Sequence, residues 1–291
     1  MEQLVQLGLN GLALGCVYAL VALGMILVYE ASGVVNFATG QFVMVGTFVA
    51  ATSYGATGLP AIPAYVLALA GMAAFGIGFF FCVHRPLQKH SIVTIIIGTV
   101  AVGIVVQNVA QMVWGPLPIR PASPFGRTMV EVGGARVTVH VLSVIAVTIV
   151  LVAALTVLLM RTPLGVRMRA VAQDPEAARL MGVSVTFIHG LTWVIAAVLA
   201  GMAGIMLGPI WFPDVGMGDA VALKAFAAAI IGGFGSVPGA IIGGILVGLA
   251  EVLGAYYISS TYKELIVFGL MVGFLLIYPQ GLFGEKVGER G

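Results

Sequence analysis

Few side chains in this sequence could carry out covalent chemistry. The histidines and cysteines are scattered, and both cysteines fall inside apolar stretches: His84, His90, His140, His189, Cys16 and Cys82. No zinc-ligand pattern and no G-x-S-x-G nucleophile turn occurs. The dipeptide Gly-Lys is absent, so the chain has no P-loop of the G-x-x-x-x-G-K-[ST] type for binding ATP. We therefore expect no catalytic residue, no metal site and no cofactor bound by this chain.

Polar side chains inside apolar stretches are better candidates for function, because burying them is costly. One group follows the polar break at residues 30–33 and consists of Asn36, Phe37, Thr39 and Gln41. Its three polar members could offer hydrogen bonds to a zwitterionic solute that passes through. Hydrogen bonding between neighbouring helices is an alternative of equal weight.

Two charged residues also lie in apolar surroundings. Lys224 begins an apolar run, and we expect its ammonium group to reach the outer interface. Glu251 lies inside another run. A structural hydrogen bond is the favoured role for Glu251, with contact to a transported solute as the alternative.

A glycine-rich break interrupts the apolar sequence at residues 232–239. Its candidate residues are Gly232, Gly233, Gly235, Ser236 and Pro238. Backbone groups freed by such a break must be buried in protein or line a water-filled cavity. Two interpretations stay open: an element that lines or gates a path, and a turn between two short spanning segments.

The composition indicates that these residues lie in a membrane protein. Hydrophobic residues make up 60 % of the 291 residues and charged residues 8 %, with a mean hydropathy of +1.13. Ordinary globular domains carry about 25 % charged residues. A lipid bilayer accepts apolar helices of about 20 residues, and the alternation of about 10-residue barrel strands is missing. We predict an all-α, polytopic integral membrane helix bundle that forms one domain over residues 1–291.

The apolar segments predict about eight full transmembrane helices. They cover residues 4–29, 35–54, 62–83, 92–114, 139–160, 187–211, 239–258 and 265–278. A ninth segment, 221–233, is too short to span and is predicted to be a half-helix or re-entrant element. Several of the 40 glycines are four residues apart, as at Gly11 and Gly15 or at Gly244 and Gly248. This spacing favours close helix packing within the bundle over a dimerisation face.

Basic residues predict the orientation, since short loops rich in Lys and Arg stay in the cytoplasm. Eight basic residues lie in two loops and the C-terminal tail, which we assign to the inside: Arg85, Lys89, Arg161, Arg167, Arg169, Arg179, Lys286 and Arg290. Three lie in the connection 115–138: Arg120, Arg127 and Arg136. The N-terminus is then outside and the C-terminus cytoplasmic. The connection 115–138 becomes an external loop that ends in a small hairpin, either a connector or a docking surface. A net charge of +2 implies no nucleic-acid partner.

The cytoplasmic loop 161–185 encodes a short helix at about residues 174–182. Asp174 suits the N-cap and Pro175 the first turn, while Glu176 complements the positive end of the helix dipole. Gly182 suits the helix end. A passive connector helix lying at the membrane interface is the alternative, but such a connector would not need residues that specify the helix at both of its ends.

Glu176, Ala177, Ala178 and Gly182 resemble the E-A-A-x-x-x-G signature of permease subunits of ATP-binding cassette (ABC) importers. Other stretches are similar to branched-chain amino acid permeases of the LivH type, and they lie at residues 18–29, 35–38, 169–174, 223–226 and 232–240. The resemblance runs over nearly the whole chain. It implies a coupling helix that docks on a cytoplasmic ATPase and is formed by Asp174, Pro175, Glu176, Ala177, Ala178, Arg179 and Gly182.

The same resemblance implies the partners and the location. They are a second homologous permease subunit, two ATPase subunits that hold ATP and magnesium, and an extracytoplasmic substrate-binding protein, in the bacterial plasma (inner) membrane. Branched-chain amino acids are the leading substrates, and other amino acids, urea and short amides stay open. Two departures stand out. The I-x-L-P ending of general ABC importer loops is absent, and Thr39-Gly40-Gln41 replaces the His-Gly-Glu of relatives.

Two other functional classes remain. An ion-coupled secondary transporter of a small polar solute would need an intramembrane ion site, for which Glu251 and the break at 232–239 are the candidates. A structural or assembly subunit would need no path.

Overall fold

The computed structural model describes residues 2–119, 121, 123–126, 128–211 and 213–284, without the side chains of residues 56 and 57. Four residues of the charge comparison, Arg120, Arg127, Lys286 and Arg290, lie outside these ranges. The described chain is a helix bundle with one small hairpin, and the all-α prediction is confirmed.

Twelve α-helices and two strands make up the described elements. In chain order these are α1 Glu2–Ser32, α2 Thr39–Thr57, α3 Ala61–Phe79, a π-helical turn Phe80–His84, α4 Arg85–Leu87, α5 Ile92–Trp114, β1 Met129–Val132, β2 Ala135–Thr138, α6 Val139–Arg161, α7 Pro163–Gln173, α8 Pro175–Leu180, α9 Val185–Leu207, α10 Met217–Gly232, α11 Val237–Tyr257 and α12 Lys263–Ile277. The antiparallel pair β1–β2 is the hairpin predicted at the end of the connection 115–138.

Among the described residues, six helical segments are long and apolar enough to cross a membrane: Glu2–Ser32, Ala61–Leu87, Ile92–Trp114, Val139–Arg161, Val185–Leu207 and Val237–Tyr257. The predicted count of eight is not confirmed. The segment 35–54 becomes helical only at Thr39, and the segment 265–278 corresponds to α12, a helix of 15 residues. The short segment 221–233 belongs to α10, which has 16 residues and rises about 24 Å.

Helix α1 lies at the centre of the bundle, where it packs against α11, α9, α10 and α6. Glycines let its backbone meet that of α11. A Cβ atom at Gly15 would lie 2.7 Å from Ile245 Cα, and one at Gly244 would lie 2.7 Å from Ala19 N. The predicted role of the glycine pairs in packing within the bundle is thus confirmed for the contact between α1 and α11.

The bundle has two distinct ends. Glu2 at the start of α1 lies beside Gly134 in the β-hairpin, so we call this the hairpin end. Glu30 near the other end of α1 lines a cleft together with Pro175 and Arg179 of α8, so we call that the α8 end. Helix α10 runs toward the α8 end, because residues 282 and 283 of the chain bond to its last carbonyls and Phe283 lines a cleft with Arg169 of α7.

The connection between α1 and α2 is not helical, yet it lies inside the bundle. Asn36 Oδ1 accepts a hydrogen bond from Ala38 N at 3.0 Å, and Thr39 Oγ1 donates to Asn36 O at 2.8 Å. Helix α2 then begins beside the first turns of α10, where a Cβ atom at Gly40 would lie 2.7 Å from Ala222 Cβ. Irregular backbone at this position is tolerated in a membrane protein only where protein or a cavity surrounds it.

We predict that Gly15→Leu lowers the unfolding free energy by about 1–3 kcal/mol or more, as overpacked cores do, because the new side chain collides with α11. The measurement is the unfolding midpoint of the purified protein in mild detergent. Gly8→Leu is the matched control, since nothing lies within 4 Å of a Cβ atom at Gly8. Equal midpoints for the two variants would contradict the close contact between α1 and α11.

Candidate functional site

Helix α8 is present where the sequence predicted a short helix. Asp174 caps it, since its Oδ1 accepts hydrogen bonds from Glu176 N at 2.9 Å and Ala177 N at 3.0 Å. Pro175 occupies the first turn. Gly182 follows the helix with a φ of +83°, a conformation that favours glycine. The chain therefore leaves α8 within two residues of its end.

One side of α8 is anchored and the other is free. Ala178 is buried in a small apolar cluster with residues of α7 and α9. Leu180 is 89 % exposed, Met181 beside it is similarly exposed, and Glu176 and Arg179 also face outward. A short capped helix with exposed apolar and charged side chains is suited to contact with another protein.

A cleft of about 480 Å³ connects α8 with the end of α1. Its lining includes Glu30, Gly33, Pro175, Arg179 and His189. Helix α8 and the end of α1 that leads into the non-helical connection 33–38 therefore face the same cleft.

The polar candidates of that connection lie close together. Asn36 is 2 % exposed, Gln41 is 4 % exposed, and Thr39 is also buried. Gln41 Nε2 donates to Asp219 Oδ1 of α10 at 2.8 Å. Asn36 Nδ2 and Gln41 Oε1 have no hydrogen-bond partner among the described residues. A buried donor and a buried acceptor are thus available to a polar ligand or to water.

One stripe of α10 is accessible although the rest of the helix is largely buried. Asp219, Leu223, Phe226 and Ile230 form it, with the spacing of one helix face. Two clefts border α10 near the ends of this stripe. The cleft at the hairpin end, of about 520 Å³, includes Ala220 and Lys224; the cleft at the α8 end, of about 960 Å³, includes Ile230.

Aromatic rings lie along the half of this stripe that is nearer the α8 end. Phe37 lies 5.7 Å from Phe226 between ring centroids, Phe226 lies 5.8 Å from Phe234, and Phe234 lies 5.0 Å from Tyr29. All four rings are partly or fully accessible. Phe37, singled out in the sequence, therefore belongs to a continuous aromatic row that reaches the α8 end.

The break at 232–239 is a tight turn at the α8 end that joins α10 to α11. Gly233 and Gly235 have φ of +97° and +94°, and Ser236 Oγ accepts a hydrogen bond from Gly239 N at 3.2 Å as the N-cap of α11. Pro238 lies in the first turn of α11, and Gly232 O accepts from Phe283 N at 3.0 Å. The turn also contributes Phe234 and Gly235 to the larger cleft, so both interpretations of the break retain support.

Glu251 belongs to a buried cluster of charged and polar groups. Its Oε1 lies 2.6 Å from Lys224 Nζ and 3.8 Å from Lys263 Nζ, and its Oε2 accepts from Tyr18 Oη at 2.6 Å. The expectation that Lys224 reaches the outer interface is wrong, because Lys224 is 1 % exposed and paired. A carboxylate on α11 makes burial of this ammonium group tolerable.

The sequence did not point to four residues of these sites. Tyr18, Asp219, Trp211 and Lys263 each contact a candidate residue or its partner from another helix or loop. Tyr18 is far from Glu251 in the sequence, so no spacing rule could pair them. An acidic residue at the start of an apolar segment, as at Asp219, was the one available signal.

The helices and their apolar surfaces define a multi-pass membrane protein. The family model described as "Branched-chain amino acid transport system / permease component" matches residues 7–275. The chain belongs to this family, and the resemblance to LivH-type permeases is confirmed.

Three relatives illustrate the similarity. BraD, a high-affinity branched-chain amino acid transport system permease protein of Pseudomonas aeruginosa, is 33 % identical over 97 % of this chain and 96 % of its own. LivH, the protein of the same description from Escherichia coli K12, is 32 % identical over the same shares. A probable LivH of Methanocaldococcus jannaschii is 30 % identical over 91 % of this chain and 88 % of its own.

We predict that Glu251→Leu lowers the unfolding free energy by about 3–5 kcal/mol, because it leaves the Lys224 ammonium buried without a counter-charge. The double variant Lys224→Met/Glu251→Leu is expected to recover most of this loss. Unfolding in detergent measures both, with Glu131→Gln in the exposed hairpin as the control. A double variant as unstable as the single one would show that the ion pair does not explain the burial of Lys224.

Proposed function

We propose that this chain is the membrane-spanning permease subunit of an ABC importer for amino acids, with branched-chain amino acids as the leading substrates. The observation that carries the proposal is α8, a capped helix with exposed side chains outside the long apolar helices, in a chain of this permease family. The named substrates of BraD and LivH support the substrate class.

The proposal assigns the energy source to other subunits. Two cytoplasmic ATPase subunits bind ATP and magnesium, and α8 serves as their coupling helix through Glu176, Arg179 and the exposed Leu180. A soluble binding protein delivers the substrate on the extracytoplasmic side. The α8 end then faces the cytoplasm and the hairpin end faces outward, in the plasma membrane of a bacterium.

The proposed path follows the accessible stripe of α10. This stripe lies between the parts of α10 that line the two clefts, and its Asp219 accepts a hydrogen bond from Gln41. Gln41 Oε1 and Asn36 Nδ2 have no partner among the described residues. Because the stripe faces away from the core of this chain, a second homologous permease subunit encloses the path on its open side. Helix α8 and Gly33, at the start of the connection 33–38, line the same cleft, and the proposal has motion of α8 alter the path at this place.

The ion-coupled alternative has less support. Its carboxylate, Glu251, has both oxygens in use, one with Lys224 and one with Tyr18. A carboxylate neutralised in this way offers little to a transported cation. The turn at 232–239 has its backbone partly satisfied by residues 282 and 283.

We predict that Glu176→Arg leaves the chain folded in the membrane but abolishes ATP-driven uptake. Glu176 is exposed on α8, so its reversal disturbs the docking surface and leaves the core intact. The test purifies the tagged chain from its native cells, identifies co-purifying proteins by mass spectrometry and measures leucine uptake in membrane vesicles.

ATPase subunits and a second permease are expected to co-purify with the wild type. The ATPase subunits are expected to be absent from the Glu176→Arg preparation. Glu131→Arg in the exposed hairpin, at the opposite end, is the matched charge reversal and should keep the ATPases. A wild-type chain that purifies alone and transports without ATP would refute the ABC proposal and favour ion coupling.

We predict that Gln41→Glu slows uptake at least tenfold, the loss expected when a hydrogen bond to a charged group, worth roughly 1.5–3 kcal/mol, is replaced by repulsion. It places a second carboxylate next to Asp219, 2.8 Å from Gln41 in the wild type. The exchange variant Gln41→Glu/Asp219→Asn restores an amide opposite a carboxylate and should recover the rate. Initial uptake rates of labelled leucine, together with competition by other amino acids, measure both. An unchanged rate and substrate profile in Gln41→Glu would exclude this position from the path.

A further inference from the structure

We propose that the cleft at the hairpin end is a reception site for a zwitterionic α-amino acid with an apolar side chain. The inference rests on the proposed transport function and adds a binding site to it. The cleft has a volume of about 520 Å³, within the range of about 300–1,000 Å³ typical of small-molecule pockets. It lies at one end of the accessible stripe of α10.

The cleft contains charges of both signs. Lys224 and Lys263 line it from α10 and α12, and Asp214 and Glu264 also line it. In an α-amino acid the carboxylate and the ammonium group are both bonded to the α-carbon. A pocket lined by both cationic and anionic groups matches this pair, whereas a pocket of one sign would select a simple anion or cation.

Lys263 is the group best placed to bind the substrate carboxylate. Its Nζ lies 3.8 Å from Glu251 Oε1, beyond hydrogen-bond length, while Lys224 Nζ holds that oxygen at 2.6 Å. Its side chain is 38 % exposed, so its N–H donors are accessible from the cleft. Lys224 also lines the cleft, and its pairing with Glu251 fixes the position of this second ammonium group.

The apolar part of the lining comes from Ile210, Trp211 and Met217. The Trp211 ring centroid lies 5.3 Å from Lys224 Nζ and 5.9 Å from Lys263 Nζ, so the ring holds both lysines at one edge of the cleft. An aliphatic side chain can pack on these residues while its polar head meets the charges. An amino acid with a polar side chain would lose hydrogen bonds to water there.

The anionic groups are suited to the substrate ammonium. Asp214 Oδ1 accepts a hydrogen bond from Gly216 N at 2.9 Å, which fixes the direction of the carboxylate and leaves its second oxygen available. Glu264 is exposed at the rim. Asp214 is thus the acceptor with a fixed orientation, and Glu264 is the more exposed one.

The test measures equilibrium binding of labelled L-leucine to the purified transporter complex in lipid nanodiscs, without the soluble binding protein. Saturable binding is expected, and Lys263→Gln should weaken it at least tenfold. Lys263→Arg should keep most of the affinity because it retains the charge. Lys89→Gln, which removes a lysine near the α8 end, is the matched control and should bind like the wild type.

Two analogues identify which group meets which charge. Leucinamide lacks the carboxylate, so it should bind more weakly than leucine and be insensitive to Lys263→Gln. The 2-oxo acid of leucine lacks the ammonium group, so it should be insensitive to Asp214→Asn, which weakens leucine binding. Equal binding of leucine and leucinamide, or unchanged leucine binding by Lys263→Gln, would overturn the inference.

Parallel assays separate this inference from the proposed function. ATP-driven leucine uptake by the complete wild-type system tests the transport function. Uptake without any direct binding to the complex overturns the reception site and leaves the transport function standing. If uptake of leucine fails, the same binding assay with other apolar amino acids shows independently whether the cleft binds an amino acid of this class. Loss of uptake in Lys263→Gln with intact leucine binding would assign the cleft to docking of the binding protein and also overturn the inference.

Discussion

The close contact between α1 and α11 is the interaction on which the rest of the bundle depends. Lipid supplies no hydrophobic force between helices, so association relies on dense packing of backbones. Gly15 and Gly244 allow that approach, and the same two helices present Tyr18 and Glu251 to each other at 2.6 Å. Because Glu251 in turn holds Lys224 on α10, the contact of two helices fixes the position of the third.

A second constraint concerns backbone polarity. Residues 33–38 leave the helical conformation inside the bundle, so their amides and carbonyls need partners that lipid cannot supply. The turn at Asn36 provides two of them, and Thr99 Oγ1 accepts from Phe37 N at 3.4 Å. Satisfying the backbone locally uses Asn36 Oδ1 but leaves its Nδ2 unpaired. The polar candidate site is thus a by-product of the way in which the chain re-enters the bundle.

Local and compositional features of the fold were predictable from the sequence, and pairings between distant residues were not. The caps of α8, the hairpin and the glycine packing each depend on residue types within a few positions, and the structure contains all three. The pairing of Gln41 with Asp219 and the burial of Lys224 beside Glu251 depend on partners more than 25 residues away. Hydropathy alone assigned Lys224 to an interface because it cannot reveal a counter-charge on another helix.

Helix lengths in this bundle are unequal, and this has a consequence for the surrounding lipid. The 31 residues of α1 rise about 46 Å and the 15 residues of α12 about 22 Å, against a hydrocarbon layer of about 30 Å. Helix α1 is enclosed by its neighbours, whereas α12 is largely exposed and has Tyr262 and Tyr278 at its two ends. Tyrosines of this kind mark the level of the headgroups. Such a mismatch is accommodated by thinning of the bilayer, by snorkelling of flanking residues or by contact with another subunit, so the thickness of the host membrane is coupled to the helix that carries Lys263.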